Sequence, residues 1–130
     1  MSLVSDPLKL VVFDCDGTLV DSQYNIISCM TEAFEDNQQK APADDAVRSI
    51  IGLNLDQAIH ELMQDKADYD LLDRLVEGYK KAFQRQRLLP DHHEPLFPGA
   101  LEAISALDEA GILMGVATGK SLRGLKAVIE

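Results

Sequence analysis

Residues 9–18 read KLVVFDCDGT, and this stretch decides the fold. The run from Lys9 to Phe13 is short, apolar and β-branched, which predicts a buried strand of a parallel sheet. It ends abruptly at Asp14, and Gly17 then marks a tight loop. Ligands of open α/β sheets bind outside the carboxyl ends of the strands. The stretch therefore predicts a strand with a functional site at its end.

A second stretch of the same kind lies near the end of the chain. Residues 112–117 are apolar and stop at a small polar pair, Thr118 and Gly119. Between the two predicted strands, residues 21–91 carry apolar side chains at helical spacing in four successive segments, and a fifth helix begins near residue 98. The expected order is strand, four-helix insertion, helix and strand, so the insertion divides an α/β unit.

The number of strands bears on whether the sequence is complete. Two strands alone do not form a stable parallel sheet, because such sheets usually have several strands and are covered on both faces. A last predicted helix, which begins at Ser121, runs to Glu130 without an end signal. We therefore expect the sequence to be a truncated protein or the ordered part of one.

Composition excludes several classes of function. The 130 residues are 46% hydrophobic, enough for a core, and carry a formal net charge of -10. This charge disfavours nucleic acid and anionic membranes as partners, because a phosphate backbone is bound by clustered Lys and Arg. The two cysteines, Cys15 and Cys29, are too few for a disulfide scaffold, and the N-terminus lacks a signal-peptide pattern. Both observations favour a cytoplasmic protein.

Two carboxylates, Asp14 and Asp16, carry the predicted chemistry. Asp14 ends the strand and faces the crevice, and Asp16 follows where the chain can turn toward the same crevice. Amide N–H groups in the loop around Gly17 can point at a phosphate. Hard oxygen ligands together with a phosphate select Mg²⁺. A carboxylate can attack phosphorus, and a second one can protonate the leaving oxygen and later activate water.

The sequence resembles the haloacid dehalogenase superfamily at residues 13–22, FDCDGTLVDS, which match the family's first motif. The resemblance continues at residues 96–100, LFPGA, and at residues 111–121, GILMGVATGKS. The last stretch looks like the second motif of the phosphoglycolate phosphatase-like branch. The resemblance covers essentially the whole chain, and it implies an α/β fold with a partial Rossmann-like core and an inserted helical cap.

In terms of domains, the resemblance places the first part of the core at residues 1–20, a helical cap of the C1 type at residues 21–91, and a truncated second part of the core at residues 92–130. It implies a phosphatase that hydrolyses a small phosphorylated metabolite through an aspartyl-phosphate, with Mg²⁺ as cofactor. The substrate itself is not readable from the sequence. The oligomeric state, monomer or homodimer, also stays open.

The resemblance also assigns roles. Asp14 would be the nucleophile and a magnesium ligand. Asp16 would be the general acid and base, and would supply a second magnesium ligand through its backbone carbonyl. Gly17, Thr118 and the Gly119 N–H would bind the phosphoryl oxygens. Asp16 argues against a dehalogenase, which lacks an aspartate at that position.

Two later motifs of the family do not occur in the sequence. The third motif supplies a lysine that neutralises the phosphate, and the fourth supplies acidic residues of the metal site. Both would follow Glu130, and Lys120 belongs to the second motif instead. Positioning and charge neutralisation provide most of phosphoryl-transfer catalysis. We therefore expect the 130 residues alone to have little or no activity.

For several polar residues the sequence allows two roles. Arg48 precedes a glycine-containing loop, and either contacts a substrate anion or forms a surface ion pair. Asn54 either caps a helix or contacts the substrate. Asp21 and Ser22 fit helix caps better than ligands. The pair at residues 92–93, His-His, fits a solvated loop better than a metal site, which would need more ligands.

Three rival functions remain at this point. A phosphomutase of the same superfamily shares the first motif. A signalling receiver domain fits poorly, because its acidic pair is adjacent and its phosphorylated aspartate lies on another strand. The third rival is a non-catalytic fragment that associates through exposed sheet edges, which invite pairing with another chain.

Overall fold

A computed structural model describes residues 7–92, 94–119, 122, 125 and 126. Ser121, Lys120 and His93, to which the sequence analysis refers, lie outside the described residues. The described part has the predicted α/β order, with one strand, four helices, a fifth helix and a second strand. These elements are β1 (Leu10–Phe13), α1 (Gln23–Asp36), α2 (Asp44–Ser49), α3 (Leu55–Leu62), α4 (Tyr69–Arg87), α5 (Ala100–Glu109) and β2 (Leu113–Val116).

The two strands lie side by side and parallel, although four helices separate them in sequence. Phe13 pairs with Val116 at the end of the register, and the Ala117 N–H donates to the Phe13 carbonyl at 2.8 Å. Because carboxyl ends of parallel strands meet at one edge of the sheet, Asp14 and Thr118 follow the strands at the same edge. This pairing brings the two sequence motifs together.

The prediction that these two strands are buried is wrong for the described residues. Leu10 and Val12 are 64% and 55% exposed, and Leu113 and Val116 are 56% and 47% exposed. The two remaining residues of β1 are partly buried. Side chains alternate across a strand, so the exposed Leu10, Val12 and Leu113 lie on one face of the sheet, whereas Val116, which pairs with Phe13, lies on the other. In the part of the chain that the structure describes, the first face is uncovered and the second is covered only in part.

The hydrophobic core lies among the four helices α1–α4, which we call the helical unit. Helices α1 and α4 pack along their apolar stripes, as the spacing of apolar residues predicts. Asn54 and Asp68 accept backbone N–H groups at the starts of α3 and α4. The most deeply buried large side chains of this core are Met30, Val47, Ile59 and Leu75.

Two segments connect the helical unit to the strands, and they run side by side. The Asp21 N–H donates to the Pro95 carbonyl at 2.7 Å, and the Phe97 N–H donates to the Leu19 carbonyl at 3.0 Å. Val20, which is 1% exposed, lies between these bonds. The paired segments fix where the helical unit stands relative to the end of β1. None of the described helices has both the length and the apolar character that a bilayer crossing requires.

Candidate active site

Backbone hydrogen bonds close the loop after β1, and the Gly17 N–H donates to the Val20 carbonyl at 2.9 Å. The Cys15 carbonyl accepts the N–H groups of Thr18, Leu19 and Val20 at 3.2, 2.9 and 3.1 Å. Gly17 has a φ of 81°, in the left-handed region that favours glycine. The Cys15 side chain is only 3% exposed, as strand alternation predicts. The loop therefore turns sharply and keeps the residues on both sides of Cys15 near the strand end.

Asp14 is exposed at the end of β1, and local bonds orient its carboxylate. Its Oδ1 accepts the Cys15 N–H at 2.9 Å. Its Oδ2 lies 3.5 Å from the Thr18 hydroxyl. These contacts come from the same loop, so the orientation of the carboxylate follows from the local sequence.

Asp16 is half-buried, and a hydrogen bond from the residue at the start of α1 orients its carboxylate. The Ser22 hydroxyl donates to Asp16 Oδ1 at 2.8 Å, and Ser22 is 1% exposed. Ser22 does occupy the position that begins α1, but its side chain makes no capping hydrogen bond. The prediction that Ser22 caps the helix through its side chain is therefore wrong, because Asp16 takes its hydroxyl. Asp21 instead accepts from the Gln23 side chain at 2.9 Å.

The loop between α2 and α3 lies directly over these residues. A Cβ on Gly52 would be 3.8 Å from Asp14 Oδ2, and a Cβ on Gly17 would be 3.6 Å from Ile51. A Cβ on Gly119 would be 3.0 Å from the Leu53 carbonyl oxygen. The loop thus touches the ends of both strands, and the two glycines that follow the strands allow it to approach closely.

A cavity of about 250 Å³ lies between this loop, the strand ends and α4. Asp16, Thr118 and Gly119 line it on the side of the strands. This volume lies just below the range of about 300–1,000 Å³ that is typical of ligand pockets, so the cavity fits a ligand smaller than most. Most of the other described lining residues are apolar: Ile26, Met30, Ile50, Ile51, Leu53, Leu55, Ala58, Tyr79 and Phe83.

The two candidate substrate contacts of the helical unit have other partners. The Arg48 guanidinium pairs with Asp45 at 2.8 Å and donates to the Gln23 side chain at 3.0 Å. Arg48 is not among the described residues that line the cavity. Asn54 accepts the Gln57 N–H at 2.9 Å as the cap of α3, while its backbone follows the loop over Gly119. The roles of both residues toward a substrate stay predictions.

Burial changes the acidity of two groups in the helical unit. Burial raises the pKa of the Tyr79 hydroxyl well above its usual range, and negative charge on Cys29 and Asp16 adds to the effect. Tyr79 lines the cavity, so its phenol stays neutral there. Burial also raises the pKa of the Cys29 thiol to about 12. Cys29 is 0% exposed, which agrees with a structural thiol.

The donors at the strand ends fit Mg²⁺. Mg²⁺ binds to proteins through one or two carboxylates and usually keeps several waters or substrate oxygens as its remaining ligands. Asp14 offers a carboxylate oxygen of this kind, and Asp16 offers its backbone carbonyl oxygen. Among the described residues, no group of three or more His, Cys, Asp or Glu side chains is arranged to hold a metal ion. Two such donors leave most coordination positions of Mg²⁺ to water or a substrate, so they fit an open site.

The chain is similar to proteins of one family. The sequence profile of the haloacid dehalogenase-like hydrolases matches residues 11–130. The "Probable phosphatase IndB" of Dickeya dadantii is 33% identical over 121 residues, which are 93% of this chain and 52% of that protein. A phosphoglycolate phosphatase of Mesorhizobium japonicum is 26% identical, over 93% of this chain and 53% of its own length.

Solved structures agree with the sequence relatives on the fold. A haloacid dehalogenase-like family hydrolase from Streptococcus pneumoniae superposes with a TM-score of 0.76 at 20% identity, over 94% of this chain and 55% of that one. The chain spans about half the length of the curated relatives that it matches. The profile match over nearly all residues confirms the resemblance read from the two motifs, and the chain belongs to the haloacid dehalogenase-like hydrolase family.

Proposed function

We propose that this chain provides the nucleophile and the acid–base group of a phosphatase that hydrolyses a small phosphate ester. The observation that carries the proposal is the position of Asp14 and Asp16 at the edge of the sheet where Thr118 and Gly119 follow the neighbouring strand. The relatives named as phosphatases support the same reaction class.

The proposed reaction has two steps. In the first, an Asp14 carboxylate oxygen forms a bond to phosphorus while the bond between phosphorus and the leaving oxygen breaks, and Asp16 donates a proton to that oxygen. In the second, Asp16 takes a proton from a water molecule, whose oxygen attacks phosphorus and releases Asp14. The products are an alcohol and inorganic phosphate. Thr118 and the Gly119 N–H, with the loop at Gly17, bind the phosphoryl oxygens.

Asp14 and the backbone carbonyl of Asp16 would hold Mg²⁺. The ion would neutralise the charge that a phosphate brings beside two carboxylates. Ser22 would position the acid–base group, because its hydrogen bond to Oδ1 fixes the side-chain orientation of Asp16. Orientation matters for this step, since a proton can pass only between atoms within hydrogen-bond reach.

Residues 21–91 would act as a cap that excludes water and selects the leaving group. The loop over Asp14 and Gly119 is the part of the cap that closes the site. The 130 residues alone would have little or no activity, because the neutralising lysine and the remaining acidic ligands of the family belong to later motifs. Measurable Mg²⁺-dependent hydrolysis of 4-nitrophenyl phosphate by the isolated chain would contradict this part of the proposal.

Phosphate release tests the function. The full-length gene product should release inorganic phosphate from 4-nitrophenyl phosphate when Mg²⁺ is present, and EDTA should abolish the release. Asp14→Asn should lower kcat by at least about a thousandfold, because an amide is a poor nucleophile. Asp36→Asn, at an exposed position on α1, is the matched control and should keep the activity. Isomerised sugar phosphate without free phosphate would point to a mutase instead.

A further inference from the structure

One wall of the cavity is a single face of α4. Five side chains of this helix line the cavity, and we call them the α4 wall: Tyr79, Lys80, Phe83, Gln84 and Arg87. Their spacing is that of adjacent rows on one helix face. The Tyr79 and Phe83 rings stack, with centroids 6.1 Å apart and planes 23° apart. The wall thus offers two aromatic rings with polar side chains beside them.

Charge is distributed unevenly around the cavity. The chain as a whole carries a net charge of -10. Among the described lining residues, Asp16 is the one acidic side chain and lies at the strand ends, whereas Lys80 and Arg87 on the α4 wall are both cationic. The cavity therefore has a negative end, where the proposed chemistry occurs, and a positive wall.

The two cations differ in how firmly they are held. The Arg87 guanidinium lies 5.7 Å from the centre of the Phe83 ring, a cation–π contact that restrains its long side chain beside the cavity. The Lys80 ammonium is 3.7 Å from Glu77, and both side chains of that pair are more than half exposed. Such an exposed pair is weak, so Lys80 can exchange it for a ligand anion at little cost.

We propose that the cavity selects phosphate esters whose leaving group has an apolar body and a second negative charge, and that Arg87 and Lys80 bind this charge. This inference rests on the proposed phosphatase function. The phosphoryl group would lie at the strand ends beside Thr118. The apolar body would lie against the Tyr79 and Phe83 rings, and the anion would form charge-assisted hydrogen bonds to the two cations.

The positions of the charges give this orientation its physical reason. A second anion near Asp14 and Asp16 would be repelled by two carboxylates, while the same anion at the α4 wall would meet two cations. A leaving group of sugar hydroxyls would instead bring many polar groups into a cavity lined mainly by apolar side chains, and would lose hydrogen bonds to water there.

A pair of substrates with the same shape tests the proposal. The full-length gene product is assayed with 3-carboxyphenyl phosphate and with 3-carbamoylphenyl phosphate, which differ by one charge. We expect kcat/KM to be about tenfold higher for the ester with the carboxylate. This factor is what one charge-assisted hydrogen bond contributes at a partly exposed site. Arg87→Met should reduce this ratio to near one, and Lys80→Met should reduce it in part.

Two further variants separate charge from structure. Arg87→Lys keeps the charge and should keep part of the preference. Arg74→Met removes a cation from the same helix at an exposed position where it pairs with Asp70, and should leave the ratio unchanged. Thermal unfolding of each variant shows that the fold is intact.

The outcomes distinguish the two proposals. Equal kcat/KM for both esters in the unsubstituted protein would overturn the charge preference while leaving the phosphatase function intact. A ratio that persists in Arg87→Met and Lys80→Met together would overturn the roles of these two residues. If neither ester is hydrolysed in a manner that depends on Asp14, the phosphatase function fails, and the inference that rests on it fails too.

Discussion

Ser22 donates a hydrogen bond of 2.8 Å to the Oδ1 of Asp16 from a position that is only 1% exposed. The two lie six positions apart in sequence, and the loop whose N–H groups bond to the Cys15 carbonyl brings them together. A buried hydroxyl whose hydrogen bond goes to a half-buried carboxylate restricts the side-chain orientations of that carboxylate. We therefore regard Ser22 as a positioning residue for the proposed acid–base group.

Ser22→Ala should lower kcat about five- to tenfold and leave KM nearly unchanged, because one hydrogen bond is worth about 1 kcal/mol and this one acts on Asp16 rather than on the substrate. Steady-state kinetics on the full-length gene product measure the split. Ser22→Thr keeps the hydroxyl and should restore much of kcat. Loss of kcat in Ser22→Thr equal to that in Ser22→Ala would argue that packing at this site matters and the hydrogen bond does not.

Gly52→Ala should destabilise the protein and reduce activity. Gly52 has a φ of 102°, which costs a residue with a Cβ about 1–2 kcal/mol, and its Cβ would be 3.8 Å from Asp14 Oδ2. The spacing itself is an ordinary contact, so the backbone strain is the main effect. Denaturant unfolding measures the loss of stability, and kcat reports the displacement of the loop.

Gly78→Ala is the matched control for Gly52→Ala. Gly78 is inside α4, and its Cβ would meet Ala33 at 3.5 Å, which is ordinary van der Waals contact. Alanine is favoured over glycine in a helix by about 1 kcal/mol, so this variant should be as stable as the unsubstituted protein or more stable. A Gly52→Ala variant as stable as Gly78→Ala would show that alanine at position 52 causes no backbone strain.

Leu75→Ala should lower the free energy of unfolding by about 2–5 kcal/mol, as a deeply buried leucine in a packed core does. Leu75 is 0% exposed and lies in the core of the helical unit. Leu88→Ala, at a position that is 84% exposed, should change it by no more than about 0.5 kcal/mol. Equal effects of the two variants would show that Leu75 does not lie in a packed core.

Stability should fall as the pH rises above about 9. Burial raises the pKa of the Cys29 thiol from 9.0 to about 12, so the folded state keeps a proton that the unfolded state releases between these values. The stabilisation is fully present below pH 9 and is lost as the pH approaches 12. Tyr79, whose pKa is raised above its usual range, acts in the same direction.

Unfolding in urea at a series of pH values measures this dependence. Cys29→Ala should flatten the decline between pH 9 and 11, because it removes one of the two groups. The protonated and buried thiol should also resist alkylation by iodoacetamide in the folded protein at pH 8. Rapid alkylation of Cys29 under native conditions would contradict its burial.

The sequence predicted the elements that depend on local patterns. Helix α4 lies inside the region of helical spacing that the sequence predicts, because its apolar stripe is long, and Asp68 caps its start. The end of β1 at Asp14 was expected from the abrupt change from apolar to acidic residues. In these two cases one short stretch of chain contains the whole signal.

Contacts that depend on how the chain folds back on itself could not be predicted from short stretches of sequence. Nothing local indicates that the Ser22 hydroxyl bonds to Asp16, because that contact depends on how the loop folds back. Pairs on one helix were more accessible. For Arg48 the sequence left a substrate contact and a surface ion pair open, and the structure has the ion pair, with Asp45 one turn earlier on α2. Arg87 and Phe83 are four residues apart, so their contact could have been read from helical spacing.

Direct trapping of a phosphorylated aspartate tests the central claim most sharply. The full-length gene product is mixed with Mg²⁺ and substrate, quenched in acid and treated with borohydride, which reduces an aspartyl-phosphate to homoserine. Mass spectrometry of the peptide that spans residues 10–20 should find homoserine at position 14 and unmodified aspartate at position 16. Phosphate release with no homoserine at position 14, or homoserine at position 16, would contradict the role of Asp14 as the nucleophile.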